Sequence, residues 1–264
     1  MPAFYTTPQA RRLAYHKTAG ASPNLVFLGG FKSDMQGSKA LFLESWAQQR
    51  GFSYLRFDYS GHGESSGVFT DGSIGNWAQD AEAIISEKTQ GPIVLVGSSM
   101  GGWIALLLAQ RLAGRVAGLM TIAAAPDFTE DSMWPSFSAE QKAEVLEKGL
   151  TLLPSEYGEA YPITRQLIEE ARDHLVMRAS LSLPFPVICL QGTQDRSVTR
   201  QTALNLLDHI ESPDVSLTFL AGQDHSFSTA ECLAVIDQNL RVLFEKSTKD
   251  RKSTRLNSSH EIGS

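Results

Sequence analysis

Cysteine is scarce: the 264 residues hold two, Cys189 and Cys232. Both lie in apolar runs, VICLQG and ECLAVI, so a disulfide framework is excluded. Buried reduced thiols are expected instead, in a reducing compartment read as the cytoplasm. Concentrated charge of one sign is also missing. The 23 Lys and Arg are mixed along the chain with 29 Asp and Glu, for a formal charge of −6. No basic stripe forms, which removes the electrostatic footprint of nucleic-acid binding. The N-terminal MPAFYTTPQARRLAYHKTAG lacks the apolar centre of a secretory signal. Thr89 to Gln110 is uncharged, but Gly91, Pro92, Gly97, Gly101, Gly102 and two serines interrupt it. That is poor for a membrane span and natural for strand, turn and helix. Internal repeats and interdomain linkers are lacking too.

The remaining composition, 42% hydrophobic and 20% charged, is that of an ordinary soluble domain. Such a chain buries a core without disulfides or metal. Short aliphatic runs read as buried strands: Leu25–Leu28, Tyr54–Phe57, Ile93–Val96, Val116–Ala123, Val187–Leu190 and Val215–Leu220. Between and after them come helical patterns at Ser38–Gln49, Ile74–Glu87, Trp103–Leu112, Thr199–His209 and Thr229–Phe244. This alternation predicts an α/β fold: a mostly parallel, doubly wound sheet with helices on both faces.

Residues 126–180 break the rhythm. No clear strand is visible there, a capping box Ser138…Gln141 opens a helix that stops at Gly149, and another helix starts at Pro162. The segment reads as a helical lid inserted at the carboxyl edge of the sheet, within a single domain of residues 1–249. Residues 250–264 form a polar tail without apolar periodicity, following a helix that ends near Lys246. The run Asp250–His260 is similar to the conceptual translation of a common sequencing adapter. The tail is therefore set aside as disordered and foreign to the fold.

Chemistry concentrates at Gly97-Ser98-Ser99-Met100-Gly101, a G-x-S-x-G pentad with Ser99 at its centre. A sharp strand-to-helix turn brings the residues two before and two after the serine close to their surroundings, so both must be small. The pentad follows four aliphatic residues and opens an apolar helix, which is the context a nucleophile elbow needs. The following helix N-terminus offers free N–H groups to a developing oxyanion.

A serine hydroxyl needs a base. His225 follows the last strand in a loop after Gly222, and a doubly wound sheet collects such loops on the edge that holds Ser99. Asp195 follows the preceding strand in QGTQDRSV and supplies the carboxylate that fixes the histidine tautomer. The chain order Ser99, Asp195, His225 is the one expected. Asp127 is a second candidate acid. The oxyanion donors are taken as the N–H groups of Phe31 and Met100. Met133, Trp134, Phe137 and Leu146 in the lid are candidate lining for an acyl pocket, or else pack the lid onto the sheet. Asp58 and the Gly61-His62-Gly63 turn are read as braces, with no catalytic part for His62.

Five segments, LVFLGGF, RFDYSGHGESSG, VGSSMGGW, QGTQDRSV and GQDHSFS, span residues 25 to 228 in order. Together they resemble the α/β-hydrolase superfamily. FLGGFKSDMQGSKA, RFDYSGHGESSG and LVGSSMGGW are most similar to its abhydrolase-domain-containing ten group of palmitoyl-protein thioesterases and acyl-glucuronide esterases. The resemblance implies Ser99 as nucleophile, Asp195 as acid and His225 as base. Gly29 departs from it, since many members carry histidine there, and the lid matches only loosely. The expected activity is serine hydrolysis of a small-molecule carboxylic ester or acyl thioester, with no metal or cofactor. A carbon–carbon bond hydrolase or other acyl-transfer enzyme on the same triad is an alternative. So is a non-catalytic, ligand-binding homologue, although the complete Ser99, Asp195 and His225 set speaks against that.

Overall fold

The structure, a computed structural model, describes residues 1–155 and 158–260. Its elements in chain order are β1 (Ala3–Thr6), β2 (Arg12–Thr18), β3 (Ala21–Leu28), α1 (Ser38–Arg50), β4 (Phe52–Phe57), α2 (Ile74–Lys88), β5 (Ile93–Ser98), α3 (Met100–Arg111) and β6 (Val116–Ile122). After these come β7 (Leu150–Ser155), β8 (Gly158–Thr164), α4 (Arg165–Ala171), β9 (Val187–Gly192), α5 (Arg200–His209), β10 (Val215–Leu220) and α6 (Ala230–His260). Eight strands form one sheet in the order β1-β2-β4-β3-β5-β6-β9-β10. Pairing is antiparallel from β1 to β4 and parallel from β4 onward.

Period-two alternation along the central strands divides the core. On β3 and β5, Val26, Leu28, Ile93 and Leu95 face one cluster with Ala81 and Ile84 of α2 and Trp103 of α3. Leu25, Phe27, Val94 and Val96 face the other, with Leu43 and Trp46 of α1 and Ile236, Leu240 and Phe244 of α6. Both faces are thus covered, as the unbroken aliphatic runs required. Each fully buried Leu or Ile contributes about 2 kcal/mol.

The insertion differs from its expected all-helical form. The capping box on Ser138 is present, and the helical segment it opens ends at Gly149 with φ +87°. Beyond it, β7 and β8 pair as an antiparallel hairpin. Pro154 and Pro162 masked these strands in the sequence, since proline is excluded from sheet interiors. In a two-stranded ribbon every strand is an edge and proline is tolerated. The next helix therefore starts at Arg165, not Pro162, capped by the Thr164 side chain accepting from the Leu167 N–H. At the other end, α6 runs on as helix to His260 rather than stopping near Lys246. Residues 261–264 of the tail lie outside the described residues.

Candidate active site

Ser99 stands between β5 and α3 with φ +56° and ψ −121°, the backbone strain expected of an elbow. Its N–H donates to Ile122 O at 3.0 Å, and its carbonyl accepts from Ala125 N at 3.1 Å, which pins the turn to the end of β6. The need for small flanking residues is visible in the geometry. A Cβ at Gly101 would lie 2.0 Å from Leu28 O, and one at Gly97 would lie 2.3 Å from Gly101 O.

His225 approaches from the loop after β10. Its Nε2 lies 3.0 Å from Ser99 Oγ and its Nδ1 lies 2.7 Å from Asp195 Oδ2. With Nδ1–H donated to the carboxylate, Nε2 is left to accept the serine proton. Asp195 is fully buried on its side-chain atoms and accepts three further hydrogen bonds. Ser197 N and Val198 N each reach Oδ1 at 2.8 Å, and Gln191 Nε2 reaches Oδ2 at 2.9 Å. Burial pushes this carboxyl up. The bonds from His225, Val198 and Ser197 outweigh that and hold it below its ordinary range. The loops that carry Asp195 and His225 are also stitched together: Gln194 N donates to Gln223 O at 2.9 Å and Gly222 N to Thr193 Oγ1 at 2.9 Å.

Asp127, the other candidate acid, serves elsewhere. Its carboxylate is buried and accepts from Val176 N and Met177 N, both at 2.8 Å, closing the insertion at its base.

The loop after β3, which carries Phe31, is held by the turn after β4. Asp58 accepts from Met35 N at 2.7 Å and from Glu64 N at 2.9 Å. His62 donates Nδ1–H to Ser60 O at 3.1 Å and accepts the Lys32 N–H on Nε2 at 3.2 Å. The ring is buried edge-on against Trp77, and that burial lowers its pKa. His62 thus braces the loop that carries Phe31, one residue past the expected donor. The motif RFDYSGHGESSG marked the turn, but nothing in the sequence shows that it reaches across to residues 32 and 35. Among the described residues the Phe31 N–H donates to no protein acceptor.

Two cavities meet at Ser99, His225 and Phe31. One, of about 420 Å³, is lined by Met100, Phe128, Met133, Leu153 and Val198. The other, of about 270 Å³, is of mixed character, lined by Phe27, Ser33, Asp34, Lys39, Ala40 and Ser226. A further cavity of about 360 Å³ shares Ala125, Phe128, Ser132, Ser197 and Val198 with the first, extending it toward the start of α5. Of the lid residues named from the sequence, Met133 lines the apolar cavity. Trp134 and Phe137 do not: their rings pack on each other at 5.8 Å, and Phe137 is buried in the same core cluster as Trp77 of α2 and Trp103 of α3. Leu146 is half exposed and lines none of these cavities. Phe128, Leu153, Val198 and Lys39 were not singled out, because no local pattern distinguishes a cavity wall from a packing residue.

A parallel sheet wound on both faces, with a strained serine at a strand-to-helix elbow, defines an α/β hydrolase. Residues 23–161 match the family described as alpha/beta hydrolase fold. The bovine (Bos taurus) palmitoyl-protein thioesterase ABHD10, mitochondrial, is 33% identical over 92% of this chain and 80% of its own. The mouse alpha/beta hydrolase domain-containing protein 10 superposes with a TM-score of 0.85 at 31% identity, covering 93% of this chain and 99% of the other. A protein of Agrobacterium vitis S4, assigned as a hydrolase, superposes with a TM-score of 0.89 at 38% identity, over 92% of this chain and 98% of that one. The chain belongs to the alpha/beta hydrolase fold family, in the group that contains ABHD10. It is a hydrolase of the esterase and thioesterase type. Among the described residues no helix is long and apolar enough to cross a membrane.

Proposed function

We propose that the protein hydrolyses long-chain acyl thioesters or esters through an acyl-enzyme on Ser99. The observation that carries this is the pair of hydrogen bonds, 3.0 Å from Ser99 to His225 and 2.7 Å from His225 to Asp195, at the mouth of an apolar cavity. Ser99 Oγ attacks the acyl carbonyl while His225 Nε2 takes its proton. The Phe31 and Met100 N–H groups receive the oxyanion, each donor worth roughly 3 kcal/mol in the transition state. His225 then protonates the leaving atom, a water activated by the same nitrogen attacks the acyl-enzyme, and the free acid departs. The acyl chain lies in the cavity walled by Phe128, Met133, Leu153 and Val198. Palmitoyl is the first chain to test, since the ABHD10 relatives are named palmitoyl-protein thioesterases. Cys189 and Cys232 are free and buried, which fits a reducing compartment. The cytoplasm and the mitochondrion named for those relatives both meet that condition.

The test is turnover of short- and long-chain p-nitrophenyl esters and a palmitoyl thioester by wild type and Ser99→Ala, with fluorophosphonate labelling alongside. Turnover and labelling by wild type alone support the reading. A folded wild type that does neither overturns it.

A further inference from the structure

Gln191 is the last residue but one of β9 and is 1% exposed. Alternation along that strand gives Val187 and Cys189 to the core cluster of Trp77 and Trp103, and Ile188 and Leu190 to the other. Gln191 therefore follows Val187 and Cys189 on one face. A primary amide buried there costs free energy unless its polar atoms are paired, and an aliphatic side chain of similar size carries no such cost. The amide nitrogen supplies what an aliphatic group lacks. Nε2 donates to Asp195 Oδ2 at 2.9 Å and to Val198 O at 3.1 Å. Both partners are acceptors, which sets the orientation of the amide. One side chain thus holds the acid and the end of the loop that carries it.

Among the described residues, Asp195 Oδ1 receives the backbone N–H groups of Ser197 and Val198, while Oδ2 receives Gln191 and His225. A donor on a carboxylate oxygen draws on its charge, so Gln191 and His225 compete for the same oxygen. The other charged and titratable groups around His225 are occupied elsewhere or stand in the cavities. Asp224, next to it in the chain, accepts from Ser226 N at 3.0 Å and Ser226 Oγ at 2.7 Å. Lys39 of α1 donates to Ser226 O. Glu231 and Cys232 of α6 meet the Gln223 side chain at 3.1 and 3.2 Å. Asp34, from the loop after β3, and Arg196, from the loop after β9, share cavity walls with His225. From the elbow between β5 and α3 the neighbour is the uncharged Ser99.

We propose that Gln191 is a positioning residue of the acyl-serine reaction: it fixes Oδ2 as the oxygen that faces His225 and takes part of that oxygen's charge, so that the imidazole is free to accept the Ser99 proton at a lower pH than Asp195 alone would allow. The inference rests on the acyl-serine reading above. Gln191 touches no reacting atom and lines none of the three cavities at the site. Without it the carboxylate turns its undivided charge on the Nδ1–H and favours the imidazolium, which cannot act as a base. Activity is then gained only at higher pH.

The experiment follows kcat and KM against pH for p-nitrophenyl butyrate in wild type and Gln191→Met, which keeps the length and removes the donor. The acid limb of kcat/KM should move up by about half a unit, a loss of about threefold on that side, with KM on the plateau unchanged. In an Asp195→Asn background the same change should have no further effect, because no carboxylate charge is left to share. A fall in kcat of equal size at every pH overturns the proposal and makes Gln191 a packing residue. Additive losses with Asp195→Asn overturn it too. If Gln191→Met does not fold, Gln191→Glu keeps the shape. Two carboxyls in contact hold a proton between them, so the donor persists at neutral pH and is lost on the alkaline side, where kcat should fall beyond any fall in wild type. A Gln191→Glu profile parallel to wild type at both ends overturns the proposal. These outcomes leave the acyl-serine reading standing. If wild type cleaves no ester or thioester and takes up no fluorophosphonate, both readings fall together.

Discussion

His62 Nε2 accepts the Lys32 backbone N–H at 3.2 Å, and so couples the turn after β4 to the loop that presents Phe31. That contact requires a neutral ring. Burial lowers the His62 pKa below its ordinary 6.5, so the folded ring binds a proton less readily than the unfolded one. The stability it contributes is complete above about pH 6.5 and is lost as pH falls below that value. The urea midpoint of wild type is therefore expected to drop between pH 7 and pH 5, with a flatter profile in His62→Gln. Parallel profiles for the two proteins would remove His62 as the cause.

At the elbow, Gly101→Ala sets a Cβ 2.0 Å from Leu28 O and 2.5 Å from Gly29 O, both backbone atoms that cannot step aside. It should destabilise by at least about 3 kcal/mol and abolish fluorophosphonate labelling. Gly149→Ala is the control: its φ is +87° but nothing lies near its Cβ, so only backbone strain of about 1 kcal/mol is expected. Thermal unfolding of the two variants side by side measures the difference.

Asp195→Asn keeps the shape of the acid but turns an amide toward His225 in place of a carboxylate. The imidazole then loses its fixed tautomer, and kcat should fall by roughly three to four orders of magnitude. Unfolding should shift little by comparison, since the Ser197 and Val198 N–H groups still find an oxygen at Oδ1. A loss of activity matched by a loss of folded protein at assay temperature would show that the acid acts through stability alone.

Val198 lines both the apolar cavity and its extension. Val198→Trp plugs the passage between them. Activity on octanoyl and longer esters should fall by at least about tenfold relative to butyryl esters, as several methylenes lose their burial. An unchanged chain-length profile would place the acyl chain elsewhere.

The meeting of Ser99, Asp195 and His225 was legible because each stands at a strand end and topology carries strand ends to one edge. Chain order then did the work of geometry for residues 30 to 126 positions apart. The lid was legible only as an interruption. Its prolines hid the β7–β8 hairpin, and its large apolar residues divided between wall and packing: Met133 and Phe128 line the cavity while Trp134 and Phe137 pack on each other. Lys39 shows the same limit from the polar side. One lysine in the first turn of a helix looks like solvent decoration until the fold sets the Ser226 carbonyl on its Nζ and Ser99 in the same cavity.

Asp127 joins the start of the insertion to its end, since Val176 and Met177 both return to its carboxylate. The lid is in effect a ring hung from one anchor, with its two feet at the same place on the sheet. Swinging the whole ring about a hinge at its base would break two charge-assisted bonds. A ring with adjoining feet is also a transplantable part. Cutting at residues 126 and 178 and sewing in the corresponding segment of a relative should exchange chain-length preference while Ser99, Asp195 and His225 stay where they are.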